Sequence, residues 1–456
     1  MAPRSFMDCP LQLQLAILDH LSVHDLRHLS VVNKGFRQLA EPCLYSDIRL
    51  TWSCDQTPPL TQLVRTILER PELRLNVRRL NLDGSGFTES FTHADIEPPP
   101  LPISALPVTA AAGQIRSTGV PGADQWIREL QAGAVDALVA LLISTLPNLR
   151  HLCLDSNFTI ESFHLGAVFR CAIQDGGREG STLPKFQFLR DVTFARRTHE
   201  WRHRSVNNTP DVLPFFSLPA IQSLSVSIDN PVNWPFTLAN STLTSLKLFR
   251  LRETQLEFLL PSLKSLRKLH WNCYYQENLD NFASKDVIDL DVLVEALHHV
   301  SETLTDLIIE PETDPDYLSG QYEAPDREIR GSLQGLAKMG HLQKLEIPWA
   351  FLMGLAPDSA LKTAVRLGEV LPPSLEMLTL NDCLLNYELW DWQDEIFVSG
   401  IKAVLGNEDT MLTLPKLQCI EMPFSSYSTC GDSISDELRA ELDQMSLQSG
   451  ITLRAI

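Results

Sequence analysis

The fold is decided by a hexapeptide that recurs along the chain, as in LTSLKL at 243–248 and LRKLHW at 266–271. Apolar residues occupy its first, fourth and sixth positions, and the other three positions are mostly polar. The pattern occurs ten times, starting at Val77, Leu149, Leu189, Ile221, Leu243, Leu266, Leu304, Leu342, Leu375 and Leu417. Ten copies are more than chance would produce, so the chain is built from a repeat.

Each copy predicts a short strand, because its second half alternates apolar and polar residues with the period of a strand. The stretches between copies have helical spacing in four places, 126–141, 288–300, 361–370 and 392–404. Consecutive copies lie 22 to 72 residues apart, and the two shortest steps, 22 and 23, fit a leucine-rich repeat of about 20–29 residues.

This alternation predicts an α/β fold, an irregular leucine-rich-repeat solenoid with a parallel sheet on its concave face and helices outside. A doubly wound α/β domain is the alternative architecture. We disfavour it because no Gly-rich phosphate-binding loop follows any of the predicted strands.

The charge balance limits the kinds of partner. The 456 residues include 38 Lys and Arg against 57 Asp and Glu, a formal net charge of −19. A general nucleic-acid binder needs a basic surface, so this charge argues against nucleic acid as a partner. The nine cysteines occur singly, as expected for reduced thiols, and no apolar run is long enough to span a bilayer. We therefore expect a soluble protein of the cytoplasm, the nucleus or both, with no membrane partner.

Two segments interrupt the repeats. Residues 97–122 contain six prolines and three glycines, and they predict a flexible insertion within the longest step. Residues 311–331 are acidic and rich in turn-forming residues, so they predict a solvated loop or a docking segment.

The first fifty residues differ from the rest and predict three short helices. The first, over 11–21, has two apolar rows, one with Leu11, Leu15 and Leu18 and the other with Leu13, Ile17 and Leu21. Ser22 and Asp25 predict the capped start of a second helix, and a third is expected to end at Pro42. One row can close a small core, and the other packs on the repeats or is presented to another protein.

This region resembles a known family. The string PLQLQLAILDHL at 10–21, followed by DLRHLSVVNKGFRQLAEPCLY at 25–45, resembles an F-box over nearly its full length. The family usually has Leu and Glu where this chain has Cys9 and Gln12. The string LTQLVRTILERPEL at 60–73, ahead of VRRL at 77–80, resembles the start of the repeats in F-box proteins of the leucine-rich-repeat class, especially fungal ones.

The resemblance implies an F-box at 1–50, a linker and capping helix at 51–75, and a solenoid at 76–456. It implies a non-catalytic substrate receptor of a Skp–cullin–F-box ubiquitin ligase, whose F-box binds the Skp adaptor and, through it, a cullin scaffold. The repeats are then expected to bind a protein substrate. The adaptor-binding residues implied are Pro10, Leu11, Leu13, Leu15, Ile17, Leu18, Leu21, Leu26, Leu29, Val32 and Phe36. A leucine-rich-repeat scaffold that recruits no ligase is the alternative.

No catalytic or metal-binding constellation stands out from the sequence, so we expect neither an enzyme nor a cofactor. The string His199-Glu200-Trp201-Arg202-His203 matches the zinc-protease pattern, but that chemistry needs both imidazoles on one helix face. Here the string follows a predicted strand, precedes a turn and is surrounded by arginines, which repel a divalent cation.

The residues beside the buried positions of each strand are expected to face the concave surface. On consecutive strands, Lys247, Lys268 and His270 then form a local basic patch. We predict that an acidic or phosphorylated substrate segment binds there. The alternative is that these are ordinary solvated charges, partly neutralised by Asp306.

Overall fold

The structure is a computed structural model that describes residues 6, 9–53, 56–86, 100–174, 181–195, 208–231, 234, 241–275, 287–313, 328–355, 367–384, 393–423 and 435–455. The chain divides into two compact units, Met1–Leu224 and Ser225–Ile456. Within these described ranges, no helix is long and apolar enough to cross a membrane.

The first unit begins with three helices, α1 (Leu11–Leu18), α2 (Val23–Val32) and α3 (Lys34–Leu44). Helix α2 has the predicted cap, since the Ser22 hydroxyl accepts a hydrogen bond from the Asp25 N–H at 3.1 Å. Two predicted ends are wrong. Helix α1 stops at Leu18 rather than at residue 21, and α3 continues past Pro42 to Leu44, although proline leaves one backbone bond of that helix unmade.

Four parallel strands of the first unit follow one another in chain order: β1 (Asp47–Ser53), β2 (Arg79–Gly86), β3 (His151–Leu154) and β4 (Asp191–Phe194). The first three repeat copies predict β2, β3 and β4, and all three are confirmed. Strand β1 was not predicted, and it begins inside the segment assigned to the F-box.

The helices of the first unit lie between its strands and are α4 (Leu60–Glu69), α5 (Val108–Ser117), α6 (Ala123–Gln131), α7 (Val135–Ile143), α8 (Phe163–Gln174) and α9 (Thr209–Val212). Helix α4 agrees with the helix expected before the repeats. The single helix expected over 126–141 is two helices, separated at Gly133, whose φ of 80° is a left-handed conformation that favours glycine.

The expected flexible insertion at 97–122 is wrong over much of its length. Residues 97–99 lie outside the described residues, but α5 occupies residues 108–117, and the next helix begins at Ala123 directly after the segment. Ala111, Ala112 and Ile115 of α5 are buried. The segment therefore contributes to the core of the first unit.

Strand β5 (Ser223–Ser227) crosses the boundary between the units, and the main strands of the second unit follow in chain order. These strands are β6 (Ser245–Phe249), β7 (Lys268–Asn272), β10 (Asp306–Ile309), β13 (Lys344–Pro348), β14 (Met377–Asn381), β15 (Cys419–Met422) and β16 (Thr452–Ala455). All pairings are parallel, and all but β16 were predicted by a repeat copy.

Four short strands form two separate pairs in the second unit. Strand β8 (Tyr274–Tyr275) pairs with β11 (Glu312–Thr313), and β9 (Val287–Asp289) pairs with β12 (Glu328–Arg330). The expected loop at 311–331 therefore begins and ends in β-structure, and its residues 314–327 lie outside the described residues.

The helices of the second unit are α10 (Glu253–Leu259), α11 (Leu290–Leu297), α12 (Trp349–Met353), α13 (Leu367–Val370), α14 (Asp394–Leu405), α15 (Glu408–Thr413) and α16 (Asp436–Ser449). The three predicted helical stretches of this unit correspond to α11, α13 and α14, while residues 361–366 and 392 lie outside the described residues. A parallel sheet with intervening helices agrees with the predicted α/β repeat architecture.

The core of both units is built from the apolar positions of the repeat. The fourth-position residues of the ten copies are at most 2% exposed, the sixth-position residues are fully buried, and the first-position residues are at most 7% exposed. The residues between them, apart from the buried Thr379, therefore reach the surface, which places most polar positions of the copies where a partner can contact them.

Candidate protein-docking surfaces

The three N-terminal helices close only a small core. Leu18, Leu26 and Ala40 are buried together, and five partly buried residues pack against them: Leu21, Leu29, Leu39, Cys43 and Leu44. Three fully buried side chains are few for a unit of this size. Much of the apolar surface of α1 is consequently left without cover.

The uncovered surface is unusually apolar. On α1, Leu11 is 55% exposed, Leu13 55%, Leu15 37% and Ile17 48%. On α2, the exposed valines are Val23 at 53%, Val31 at 73% and Val32 at 62%. Single exposed apolar residues are ordinary, but a concentration of seven on two short consecutive helices is typical of a protein-binding region.

The structure divides the residues that the F-box resemblance assigned to adaptor binding. Pro10 and Val32 are exposed with the four α1 residues, whereas Leu18 and Leu26 are core residues that support the surface from beneath. Leu21, Leu29 and Phe36 are half-buried, and the Phe36 ring stacks on Phe6 at 5.7 Å. Val23 and Val31 belong to the exposed surface but were missed.

Gln14 fixes the chain that leads into α1. It is 5% exposed, and its side-chain amide donates to the Phe6 carbonyl at 3.1 Å and to the Cys9 carbonyl at 2.9 Å. A buried amide that is hydrogen-bonded in this way holds the preceding segment against the helix. The Phe6 and Cys9 carbonyl groups are therefore held against α1.

Helix α3 is tied to the segment after α4 by a two-pronged ion pair. The Arg70 guanidinium donates to both Glu41 carboxylate oxygens, at 2.9 and 2.8 Å. The hydrogen bonds from Arg70 hold the pKa of Glu41 below its ordinary value. In addition, the Ser46 carbonyl accepts from the Arg78 and Arg79 N–H groups at 3.0 and 2.9 Å. These bonds join the helical region directly to the first repeat strands.

The predicted substrate-binding residues lie side by side in the second unit. Lys247 is opposite His270 in the register of β6 and β7, and Lys268 is opposite Asp306 in the register of β7 and β10. The Lys247 ammonium nitrogen lies 5.0 Å from the centroid of the Phe249 ring, within cation–π range. The three basic groups are therefore brought together as the repeat pattern predicted.

Acidic side chains compensate part of this positive charge, and the sequence analysis did not identify all of them. The Glu310 carboxylate contacts the His270 imidazole, and the hydrogen bond from His270, with the nearby Lys247 charge, lowers the pKa of Glu310. Burial, together with the Glu310 charge, raises the pKa of Glu346. This surface therefore carries both signs of charge, and its role in substrate binding stays a prediction. The residue that the sequence analysis overlooked is Glu310, which lies one position after β10.

The remaining chemical motifs add no site. The His199–His203 string lies outside the described residues. Within the ranges that the structure covers, no three His, Cys, Asp or Glu side chains come together to hold a metal ion.

Two protein families match the sequence. The profile of the F-box domain matches residues 6–43, and the profile of a leucine-rich repeat domain matches residues 55–386. None of the curated proteins compared with the chain matches it.

Proposed function

Because the chain belongs to the leucine-rich repeat proteins and carries an F-box domain at its N-terminus, we propose that it is the substrate receptor of a Skp–cullin–F-box ubiquitin ligase. F-box domains generally bind the Skp adaptor, and leucine-rich repeats generally bind protein targets. Neither domain type is typically catalytic. In this proposal the chain supplies binding alone, and it raises the effective concentration of substrate near the ubiquitin-transferring subunits.

The observation that supports the proposal best is the apolar surface of α1 and α2. A free helix pair with this much uncovered apolar area is unfavourable in water, and burial against an adaptor removes that cost. The exposed α1 residues and Val32 are therefore proposed as direct contacts. Leu18 and Leu26 are proposed to support them from the core.

The repeats are proposed to hold the substrate, with Lys247, Lys268 and His270 as one contact surface. The compensating Glu310 carboxylate makes this surface suited to a segment that carries both charge signs rather than to a purely acidic one. We also propose that the protein works in the cytoplasm, the nucleus or both.

Adaptor binding is tested by the double variant Leu13→Asp with Ile17→Asp in the full-length chain. About half of each side chain is free to be buried, so the loss of each contributes about 1 kcal/mol, and a buried carboxylate adds a cost of similar size or larger. The sum predicts an adaptor affinity at least about 100-fold weaker. The measurement is titration calorimetry with purified Skp adaptor.

A matched control separates this effect from a general loss of apolar surface. Leu75 is 53% exposed, close to the 55% of Leu13, and it lies beyond the matched F-box segment. Leu75→Asp should bind the adaptor like the wild type, and far-UV circular dichroism should show all variants folded. If the wild-type chain does not bind the adaptor, the scaffold alternative replaces the ligase proposal.

A further inference from the structure

Three arginines occupy the same position in consecutive repeats of the first unit. Arg78, Arg150 and Arg190 directly precede β2, β3 and β4, whose register aligns them. The Arg78 carbonyl accepts from the Arg150 N–H at 2.8 Å, and the Arg150 carbonyl accepts from the Arg190 N–H at 2.9 Å. Adjacent strands lie about 4.8 Å apart, so the three residues span about 10 Å. We call them the arginine ladder.

The charges of the arginine ladder are not compensated within the part of the chain that the structure describes. All three side chains are exposed, and none forms an ion pair there. Two carboxylates at neighbouring strand positions, one on β1 and one on β4, are engaged with other side chains. Asp47 contacts Arg49 at 3.0 Å and Arg79 at 3.7 Å, and Asp191 contacts His151 at 2.7 Å. The ladder is thus a local positive site on a chain whose net charge is −19.

The fold does not require arginine at this position. Each ladder residue contributes to the sheet through its backbone groups, which any residue other than proline provides. In the second unit, residues of every charge type hold the equivalent positions, namely Thr244, Arg267, Thr305, Gln343, Glu376 and Gln418. Three adjacent like charges also repel one another. Their presence therefore points to a ligand rather than to packing.

We propose that the arginine ladder binds an extended protein segment rich in Asp and Glu. This inference rests on the proposed function, in which the repeats hold a protein substrate, and it names the chemistry of one substrate segment. The guanidinium group matches a carboxylate with two parallel hydrogen bonds. An extended chain advances about 3.3 Å per residue and alternates its side chains, so four consecutive residues cross the ladder and offer about two carboxylates to it. The high negative charge of the chain as a whole disfavours binding of such a segment elsewhere.

The test is fluorescence anisotropy with the full-length chain and a fluorescein-labelled peptide that carries four consecutive Glu between Gly and Ser residues. A second peptide has Gln in place of each Glu. The triple variant Arg78→Gln, Arg150→Gln and Arg190→Gln should bind the Glu peptide about 30-fold more weakly, since one exposed ion pair changes affinity about threefold. Added salt should weaken the wild-type interaction in the same direction.

Two controls separate the effect of the ladder from the effect of net charge and from adaptor binding by the F-box. The variant Arg128→Gln, Lys416→Gln and Arg439→Gln removes the same charge at exposed positions elsewhere and should bind the Glu peptide like the wild type. The ladder variant should still bind the Skp adaptor normally, so failure of the ladder and failure of the proposed function give different results. The proposal is overturned if the wild type does not bind the Glu peptide, or if the ladder variant binds this peptide as tightly as the wild type does. It is also overturned if the wild type binds the Gln peptide as tightly as the Glu peptide, or if single-stranded oligothymidylate binds the ladder more tightly than the Glu peptide does.

Discussion

Gly166 in α8 provides a sharp test of the packing between consecutive repeats. A Cβ atom built on Gly166 would lie 2.5 Å from the Cα and 2.5 Å from the Cβ of Asp211 in α9, almost 1 Å inside the 3.4 Å at which ordinary contact begins. Overpacking costs about 1–3 kcal/mol, and the upper value applies because one of these atoms is backbone. Alanine recovers about 1 kcal/mol through its better helix propensity. We therefore expect Gly166→Ala to lower the free energy of unfolding by about 2 kcal/mol.

Gly113 in α5 is the matched control for this substitution. It is exposed and helical, and no atom lies within 4 Å of the Cβ that alanine would add. Gly113→Ala keeps the propensity gain without the clash, and it should raise the free energy of unfolding by up to about 1 kcal/mol. Urea unfolding followed by far-UV circular dichroism measures both variants against the wild type. Equal shifts of the two midpoints in one direction would refute the close approach of α8 to α9.

Two further predictions concern the dependence of stability on pH. Burial raises the pKa of Asp136 to about 6 from its ordinary 3.8, so the folded state keeps a proton that the unfolded state loses. The stability of the wild type should therefore rise relative to that of Asp136→Asn as the pH falls from about 7 to about 5. Thermal unfolding of both proteins at the two pH values measures this, and a difference in stability that does not change with pH would contradict it. For Glu41 the pKa is lowered instead of raised, so the dependence on pH is reversed. Its carboxylate stabilises the folded state at neutral pH, and this stabilisation is lost as the pH falls through the folded pKa. Because Arg70 is 43% exposed, Glu41→Gln should cost less than about 1 kcal/mol at neutral pH by urea unfolding, and this cost should shrink as the solution is made acidic. A cost that is the same at neutral and acidic pH would exclude the ion pair as its cause.

The repeat strands were predictable because each carries its own signal. A buried aliphatic residue at the fourth position and an apolar residue at the sixth recur whatever the distance to the next copy, so the ten copies located ten strands. Strands β1 and β16, two of those that no repeat copy predicted, lack that pattern. Strand β1 alternates Ile48, Leu50 and Trp52, but its leading position holds Tyr45 rather than the aliphatic residue of the ten copies. No residue of β16 is fully buried. Terminal strands pack against one neighbour only, so their sequences are less constrained.

The prediction for 97–122 was wrong because it rested on the proline and glycine content of the segment and not on where each proline lies. Its prolines and glycines were interpreted as a mobile insertion, but Pro107 directly precedes α5, where a missing N–H leaves no helix bond unmade. Three consecutive alanines follow at 110–112, and alanine is the best helix former; Ile115 is fully buried. Here a proline marks the start of an ordered helix, so proline content alone did not indicate a flexible segment.

For the docking surface, the sequence located the helices but not the division between core and surface. The spacing of α1 allowed either apolar row to be buried, and in the structure neither row is buried as a whole. Only Leu18 enters the core, because α2 and α3 contribute just Leu26 and Ala40 to meet it. Burial of the polar Gln14 on the same helix could not be read from periodicity, since it depends on carbonyl groups before the helix begins.

Two of the proposed surfaces, the apolar surface of α1 and α2 and the arginine ladder, are exposed for different physical reasons. The apolar surface of α1 and α2 persists because three short helices have too few partners to bury it, so exposure follows from the small size of the F-box. The arginine ladder persists because the repeat buries only its apolar positions and leaves the position before each strand free of packing demands. The adaptor surface is therefore a consequence of the small core of the F-box, which leaves apolar side chains uncovered. A substrate surface can vary from strand to strand without cost to the fold, which is the property that a receptor for one particular partner requires.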